Sequence, residues 1–393
     1  MQPMDFADAY VRDLKARGLF RTLQVIQSPQ GPRIQIDDRT FINMSSNDYL
    51  GLANHPEVRA GAMAGAESWG GGAGAVRTIA GTLEPHEALE AEIAEWKGVE
   101  STLVLQSGFS SNLGVIPALV GRDDVILSDE LNHASIIDGC RLSRATIRRY
   151  AHADADALHA ELKACPDGQR KLVVTDGVFS MDGDIAPLPA ICDVAEDFGA
   201  IVMVDDAHGS GVLGRGGRGT VDHFELHGRV QVQIGTLSKA IGSMGGYIAG
   251  TKTLRDYLVQ TARPLLFSTA HPPAVVEASR AAIRVLSREP DRVERLWENT
   301  RHFKRGLDDL GLDTGKSETP ITPVLMGEAE HAHALSDGLR KRGVFVQSVV
   351  FPTVPQGAAR VRAMVSASHT REDLDQAIQA FREVTQDMQN VST

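Results

Sequence analysis

Lys239 follows two hydroxyl residues, Thr236 and Ser238, in the run Thr236-Leu237-Ser238-Lys239-Ala240-Ile241-Gly242, just after the apolar stretch Val230–Ile234. An amine partly stripped of water beside other cations loses proton affinity and becomes a nucleophile toward carbonyls. Thr236 and Ser238 can hold a phosphate, while Gly242, Gly245 and Gly246 let backbone approach closely. Taken alone, these residues also describe a surface lysine on a loop. A second group shifts that balance. The apolar run Ala200–Val204 ends at Asp205-Asp206-Ala207-His208-Gly209, and an acid at the end of a buried strand is costly without a positive partner. The protonated ring nitrogen of pyridoxal phosphate (PLP) is such a partner, and its charge makes the ring an electron sink. Asp205 would face that nitrogen, and His208 would reach the phenolic oxygen or the substrate. The alternative is Asp205 as a helix cap and His208 as a loop residue. The separation 239 − 205 = 34 leaves room for one strand-connection-strand step between acid and lysine.

Three more polar groups follow strand-like runs. Gln106-Ser107-Gly108-Phe109-Ser110 joins a strand to a helix, and backbone N–H groups at a helix start form an anion site, here for the cofactor phosphate. Ser128-Asp129-Glu130-Leu131-Asn132-His133 places a flat imidazole where it can stack on a ring; equally, Asn132 caps the next helix with His133 in its first turn. In Asp176-Gly177-Val178-Phe179-Ser180-Met181-Asp182-Gly183 the Ser180 hydroxyl suits the ring oxygen, and Asp182-Gly183 reads as a turn. Five polar clusters at five strand ends are more specific together than any one of them.

The elements that must position them alternate. Strand-like runs at Thr102–Gln106, Val125–Ser128, Lys171–Thr175, Ala200–Val204 and Val230–Ile234 are interleaved with helical patterns at Glu87–Trp96, Ala134–Ser143, Asp156–Ala164 and Pro189–Phe198. Short, almost wholly apolar strands between helices predict an α/β fold with a mainly parallel sheet covered on both faces. Ligands of such sheets sit at the carboxyl ends of the strands. Beyond Pro272 the pattern changes to long helices and a smaller α/β piece. The division expected is residues 1–45 as an N-terminal arm and helix joining the small domain, 46–275 as a large PLP-binding domain, and 276–393 as a small C-terminal domain.

Composition narrows the class further. The 393 residues are 42% apolar and 23% charged, ordinary for a globular protein. The formal charge of −11 comes with no Lys/Arg block that would release phosphate counterions, so no nucleic-acid partner is expected. The nearest cluster, Arg141, Arg144, Arg148 and Arg149, reads as a solvated helix-to-strand edge. No apolar run is long enough to span a bilayer, so no membrane partner is expected, and residues 1–18 lack the apolar core of a signal peptide. Cys140, Cys165 and Cys192 fit neither a disulfide framework nor a C-x-x-C metal pair; a reducing cytoplasm is the expectation, with no metal.

The segments TLSKAIG, VDDAHGSGVLG, NHASIIDG, TDGVFSMDGDIAPL, SSNDYLGLANHP and GGGAGAVRTIAGT together resemble the α-oxoamine synthase family of fold-type I PLP enzymes, over nearly the whole chain. The resemblance implies an internal aldimine at Lys239, Asp205 on the pyridinium nitrogen, His208 and Ser180 on the phenolic oxygen, and His133 stacked on the ring. It implies a phosphate shell of Gly108, Phe109, Thr236 and Ser238, with Ser268 and Thr269 supplied by the other subunit of a homodimer. Asn47 and Arg362 resemble the pair that binds the amino-acid carboxylate, a natural task for an Arg fork. Thr353 resembles an acyl-CoA contact. The implied reaction is a Claisen-type condensation of an amino acid with an acyl-CoA. Lys239 would serve as the base at Cα, and His133 or His208 would polarise the thioester oxygen. Glycine with acetyl-CoA, the glycine C-acetyltransferase branch associated with threonine degradation, is the preferred expectation. L-Alanine with pimeloyl-CoA, the decarboxylating 8-amino-7-oxononanoate synthase branch of biotin synthesis, is the alternative, as is a bifunctional synthase. An aminotransferase or decarboxylase on this fold would use Lys239 and Asp205 alike but would consume no thioester.

Overall fold

The computed structural model describes residues 3–391. Its strands, in chain order, are β1 (Arg33–Ile36), β2 (Arg39–Asn43), β3 (Ser101–Leu105), β4 (Val125–Asp129), β5 (Thr146–Tyr150), β6 (Lys171–Asp176), β7 (Ile201–Asp205), β8 (Val232–Thr236), β9 (Gly246–Gly250), β10 (Ile321–Gly327), β11 (Val344–Phe345), β12 (Gln347–Val349) and β13 (Ala359–Met364). Seven of them form one sheet in the order β3-β9-β8-β7-β6-β4-β5. Pairing is parallel from β5 through β8, and β9 runs antiparallel to both β8 and β3.

The central strands are mainly apolar because both of their faces are covered. Successive side chains point to opposite sides. Thus Leu172, Val174 and Met203 enter one core cluster, while Val173, Val202 and Val204 enter another. The helix Ala134–Ser143 has the expected bounds, and the five expected strands fall within two residues of the observed ones. Two strands of this seven-stranded sheet were not foreseen. β5 is an edge strand whose Arg148 and Arg149 are only partly covered, and β9 is bounded by glycines at both ends.

The C-terminal third builds an antiparallel sheet in the order β10-β13-β12, packed against the helix Ala329–Lys341, on which Arg371–Val391 packs in turn. A third small sheet joins the two ends of the chain: β2 pairs with β1 and, in parallel, with β11, placing Ile42 opposite Val344. Ile42 and Met44 share a core cluster with Phe303, Leu335, Val361 and Phe381. The division expected at 275/276 falls inside the helix Pro273–Arg288, which packs on Pro56–Trp69 and Glu84–Lys97. Its buried face, including Val276, Ile283 and Leu286, belongs to the same cluster as Leu89 and Ile93. Among the described residues no helix is long and apolar enough to cross a membrane.

Candidate active site

The carboxyl ends of β4, β6, β7 and β8 carry the polar groups. Asp205 ends β7 directly beside Asp176, its register partner on β6. Both are buried. Burial, and then the charge of Asp205, push the Asp176 carboxyl well above its usual range. Asp205 Oδ2 accepts from Asn112 Nδ2 at 2.6 Å, and its Oδ1 from Ala207 N at 3.1 Å.

Lys239 follows β8. Burial, helped by the Arg362 charge, lowers its amine to about 8 against the pull of Asp205 and Asp176. The turn beyond it closes on Gly242, whose φ of 70° favours glycine. A Cβ there would lie 2.3 Å from Ala53 N, so the 48–53 loop seats directly against the lysine's turn. Asp48 holds that loop by accepting from Leu52 N and Ala53 N.

At the other end, Thr236 Oγ1 donates to Gly245 O at 2.9 Å and lies 2.8 Å from Ser238 Oγ. Gly108 opens the helix Gly108–Leu119 beside them, its empty Cβ position 3.7 Å from Thr236 Oγ1. Ser107 caps that helix by accepting from Ser110 N. The half-exposed Phe109 stands edge-on to His133, with ring centroids 6.4 Å apart.

His133 itself caps the helix Ala134–Ser143, which corrects the alternative in which Asn132 does so. The His133 N–H donates to Asp176 Oδ2 at 2.7 Å. Asn132 instead ties β4 to β6: its amide donates to Ser128 Oγ and Val174 O, and its oxygen accepts from Asp176 N. Burial lowers the His133 imidazole, opposed by Asp205 and helped by Lys239. His208 shares a 2.8 Å hydrogen bond between Nδ1 and the Tyr49 hydroxyl. Burial, then the charges of Lys239 and Arg362, lower its pKa well below the usual value, so its ring is neutral.

Arg362 on β13 donates from Nη1 to Ser180 O at 2.7 Å, and burial lowers its pKa. Arg360, two residues earlier and on the same strand face, pairs with Asp182 at 2.5 Å. β13 therefore clamps the Ser180 loop. Asn47 Oδ1 is buried without a hydrogen-bond partner. Ser268 and Thr269 follow the helix Arg263–Phe267, and Thr269 O accepts from Gln106 Nε2 beside the end of β3. Thr353 lies elsewhere, where its Oγ1 accepts from Arg21 Nη2 at 2.9 Å. It borders a cavity of about 630 Å3 lined also by Gln24, His333, Arg340 and Gln347.

Lys239, Asp205, Asp176, His133, His208 and Arg362 thus act on one another's charge, and Gly108, Thr236 and Ser238 gather separately at one end. Tyr49, Asn112 and Ser135 had no expected role. Tyr49 and Ser135 sit inside quoted segments, but nothing local marks their partners, and Asn112 lies within a helix of ordinary appearance.

The family described as aminotransferase class I and II matches residues 39–381. The chain is 57% identical to an 8-amino-7-oxononanoate synthase of Symbiobacterium thermophilum over 98% of each chain. It is 56% identical to one of Exiguobacterium sibiricum, covering 96% of this chain and 97% of that one. A serine palmitoyltransferase of S. paucimobilis, solved with a bound PLP–myriocin aldimine, superposes with a TM-score of 0.93 at 30% identity over 98% of each chain. These likenesses reverse the preference for glycine and acetyl-CoA, and with it the link to threonine degradation.

Proposed function

The chain belongs to the aminotransferase class I and II family, in its α-oxoamine synthase branch, and from that premise we propose an 8-amino-7-oxononanoate synthase. It is a PLP-dependent acyltransferase. The observation carrying the finer reading is the near full-length identity to synthases of that name. In this reading L-alanine and pimeloyl-CoA condense: Cα gives up its proton and bonds to the thioester carbonyl, the C–S bond breaks, CoA leaves and takes a proton from water to become the thiol, the bond from Cα to the carboxylate breaks to release carbon dioxide, and Cα is protonated again.

The residues fit PLP. Asp205 is a buried carboxylate whose hydrogen bonds come from neutral donors, and Lys239 is a buried amine with lowered proton affinity. Lys239 would hold the aldehyde carbon, Asp205 the ring nitrogen, His208 and Ser180 the phenolic oxygen, and His133 the ring face. Gly108, Phe109, Thr236 and Ser238 would hold the phosphate, with Ser268 and Thr269 from a second copy of the chain. When bound, the cofactor supplies an electron-withdrawing ring that acidifies the Cα–H of an attached amino acid.

The chain's own groups do the rest. Arg362 and Asn47 orient the alanine carboxylate. The neutral Lys239 amine takes the Cα proton and later returns it. His133 or His208, whose pKa values are both lowered by burial, offers a hydrogen bond to the thioester oxygen. A homodimer is supported by Ile79, 83% exposed, and Phe267, 70% exposed, on two short helical segments, Arg77–Gly81 and Arg263–Phe267, that pack together, the second ending just before Ser268. The cavity at Thr353 carries two guanidinium groups, Arg21 and Arg340, suited to an acyl chain ending in a carboxylate. Gln347, on its wall, lies opposite Arg362 in register.

Two results are expected. L-Alanine with pimeloyl-CoA should release thiol at least about tenfold faster, in kcat/KM, than glycine with acetyl-CoA, a difference of ~1.4 kcal/mol. The opposite order would return the assignment to the acetyltransferase, and no thiol release from any acyl-CoA would remove both. Second, PLP uptake by the apo protein needs the free amine. Its rate should rise about tenfold per pH unit below 8 and level off above, because Lys239 loses its proton near 8. A rise continuing to pH 10 would mean an amine with ordinary proton affinity.

A further inference from the structure

Two fully buried side chains link the acid at β7 to the imidazole at the end of β4. Asn112 lies in the helix Gly108–Leu119, and Ser135 in the first turn of Ala134–Ser143; both have 0% exposure. The two helices approach closely because Gly139 has no side chain: a Cβ there would sit 2.9 Å from Asn112 O. That contact brings Asn112 Nδ2 to 2.9 Å from Ser135 Oγ and 2.6 Å from Asp205 Oδ2. Ser135 Oγ is in turn 2.7 Å from His133 Nδ1.

The chain of hydrogen bonds has one direction. A carboxylate oxygen only accepts, so Asn112 must present its NH2 to Asp205 rather than its oxygen. The second hydrogen of that NH2 goes to Ser135 Oγ, which therefore accepts there and has its own hydrogen to give to His133 Nδ1. The Ser135 backbone N–H also donates to Nδ1, at 3.3 Å. Two donors on Nδ1 leave the ring proton on Nε2, the edge of the ring away from the helix. Burial keeps the ring neutral.

One feature separates this from ordinary core packing. Asn112 Oδ1 is buried with no hydrogen-bond partner, which costs the fold the desolvation of that oxygen. The position keeps an amide for its two hydrogens at the expense of its oxygen. We propose that Asn112 and Ser135 are positioning residues that hold His133 as the neutral Nε2–H tautomer and couple its ring to Asp205. This rests on the reading above, in which His133 covers the cofactor ring and polarises the thioester oxygen.

The test uses full-length protein with 15N-labelled histidine, in apo and PLP-loaded forms, the His133 signals being assigned by their loss in His133→Gln. The natural chain should show a neutral ring protonated on Nε2 in both forms. Ser135→Ala and Asn112→Leu should move the signals toward the Nδ1–H tautomer or a mixture and shift the visible absorbance of the loaded enzyme. They should also lower kcat about 10- to 100-fold while KM for L-alanine stays within about twofold. Ser135→Thr, which keeps the hydroxyl, should restore all of these. If Asn112→Leu does not fold, the Ser135 pair decides alone. A natural ring protonated on Nδ1, or a Ser135→Ala ring still on Nε2, overturns the proposal. Failure of the substrate reading would instead appear as absent thiol release with the tautomer as expected.

Discussion

Lys239→Ala should fold and release thiol from L-alanine and pimeloyl-CoA at least about 1,000-fold more slowly than the natural chain, because the substitution removes a nucleophile and a base together. Folding should survive because the native amine is desolvated, with its pKa lowered to about 8. The sign of its linkage to stability follows. Between pH 8 and about 10.4 the unfolded chain holds the proton that the folded one has lost. This residue therefore makes the apo protein more stable as pH rises through that window and penalises it fully below. Denaturant midpoints of the natural apo protein at pH 7 and pH 10 contain that gain, and those of Lys239→Ala lack it. An activity within tenfold of the natural chain would remove Lys239 from the chemistry.

The second large effect is expected at Asp205. Asp205→Asn keeps the size of the side chain but takes away the charge, and the new amide can turn its oxygen to Asn112 Nδ2, where Asp205 Oδ2 accepts now. Its NH2 would then face the ring nitrogen, a donor where an acceptor is needed. Loss of a preorganised charge at the point where charge develops costs about 10²–10³-fold in kcat. The sharper readout is exchange of the Cα hydrogen of L-alanine with deuterated water, with acyl-CoA left out. That exchange should fall in the same proportion while PLP stays bound. Unchanged exchange would show that the electron sink does not depend on this carboxylate.

Much of the site was legible because its parts are local. Lys239, Asp205 and His133 each follow an apolar run by a few residues, and a run of four or five buried residues fixes where a strand must end. The helix caps were harder: Asn132 and His133 are both able to cap, and which does so is decided by β6, whose Asp176 takes the His133 N–H and gives its own N–H to Asn132. Sequence spacing does not contain that choice. Nor does it contain Asn112, whose partners come from a neighbouring helix and from β7, or Tyr49, which meets His208 across 159 residues. β5 and β9 were missed for other reasons. One is an edge strand with charged residues and the other is short and glycine-bounded, and neither shows the continuous apolar run that marks a doubly covered strand.

The pairing of β2 with β11 has a consequence for how the protein is made. Ile34, Ile36, Phe41 and Ile42 leave the ribosome early, yet the strand that completes their small sheet begins at Val344. At about 5–20 residues per second, that partner arrives roughly 15–60 s later. During this interval a greasy stretch of newly synthesised polypeptide has no lasting home, which makes it a natural customer for chaperones. The seven-stranded sheet, whose strands all lie between Ser101 and Gly250, can assemble well before translation ends.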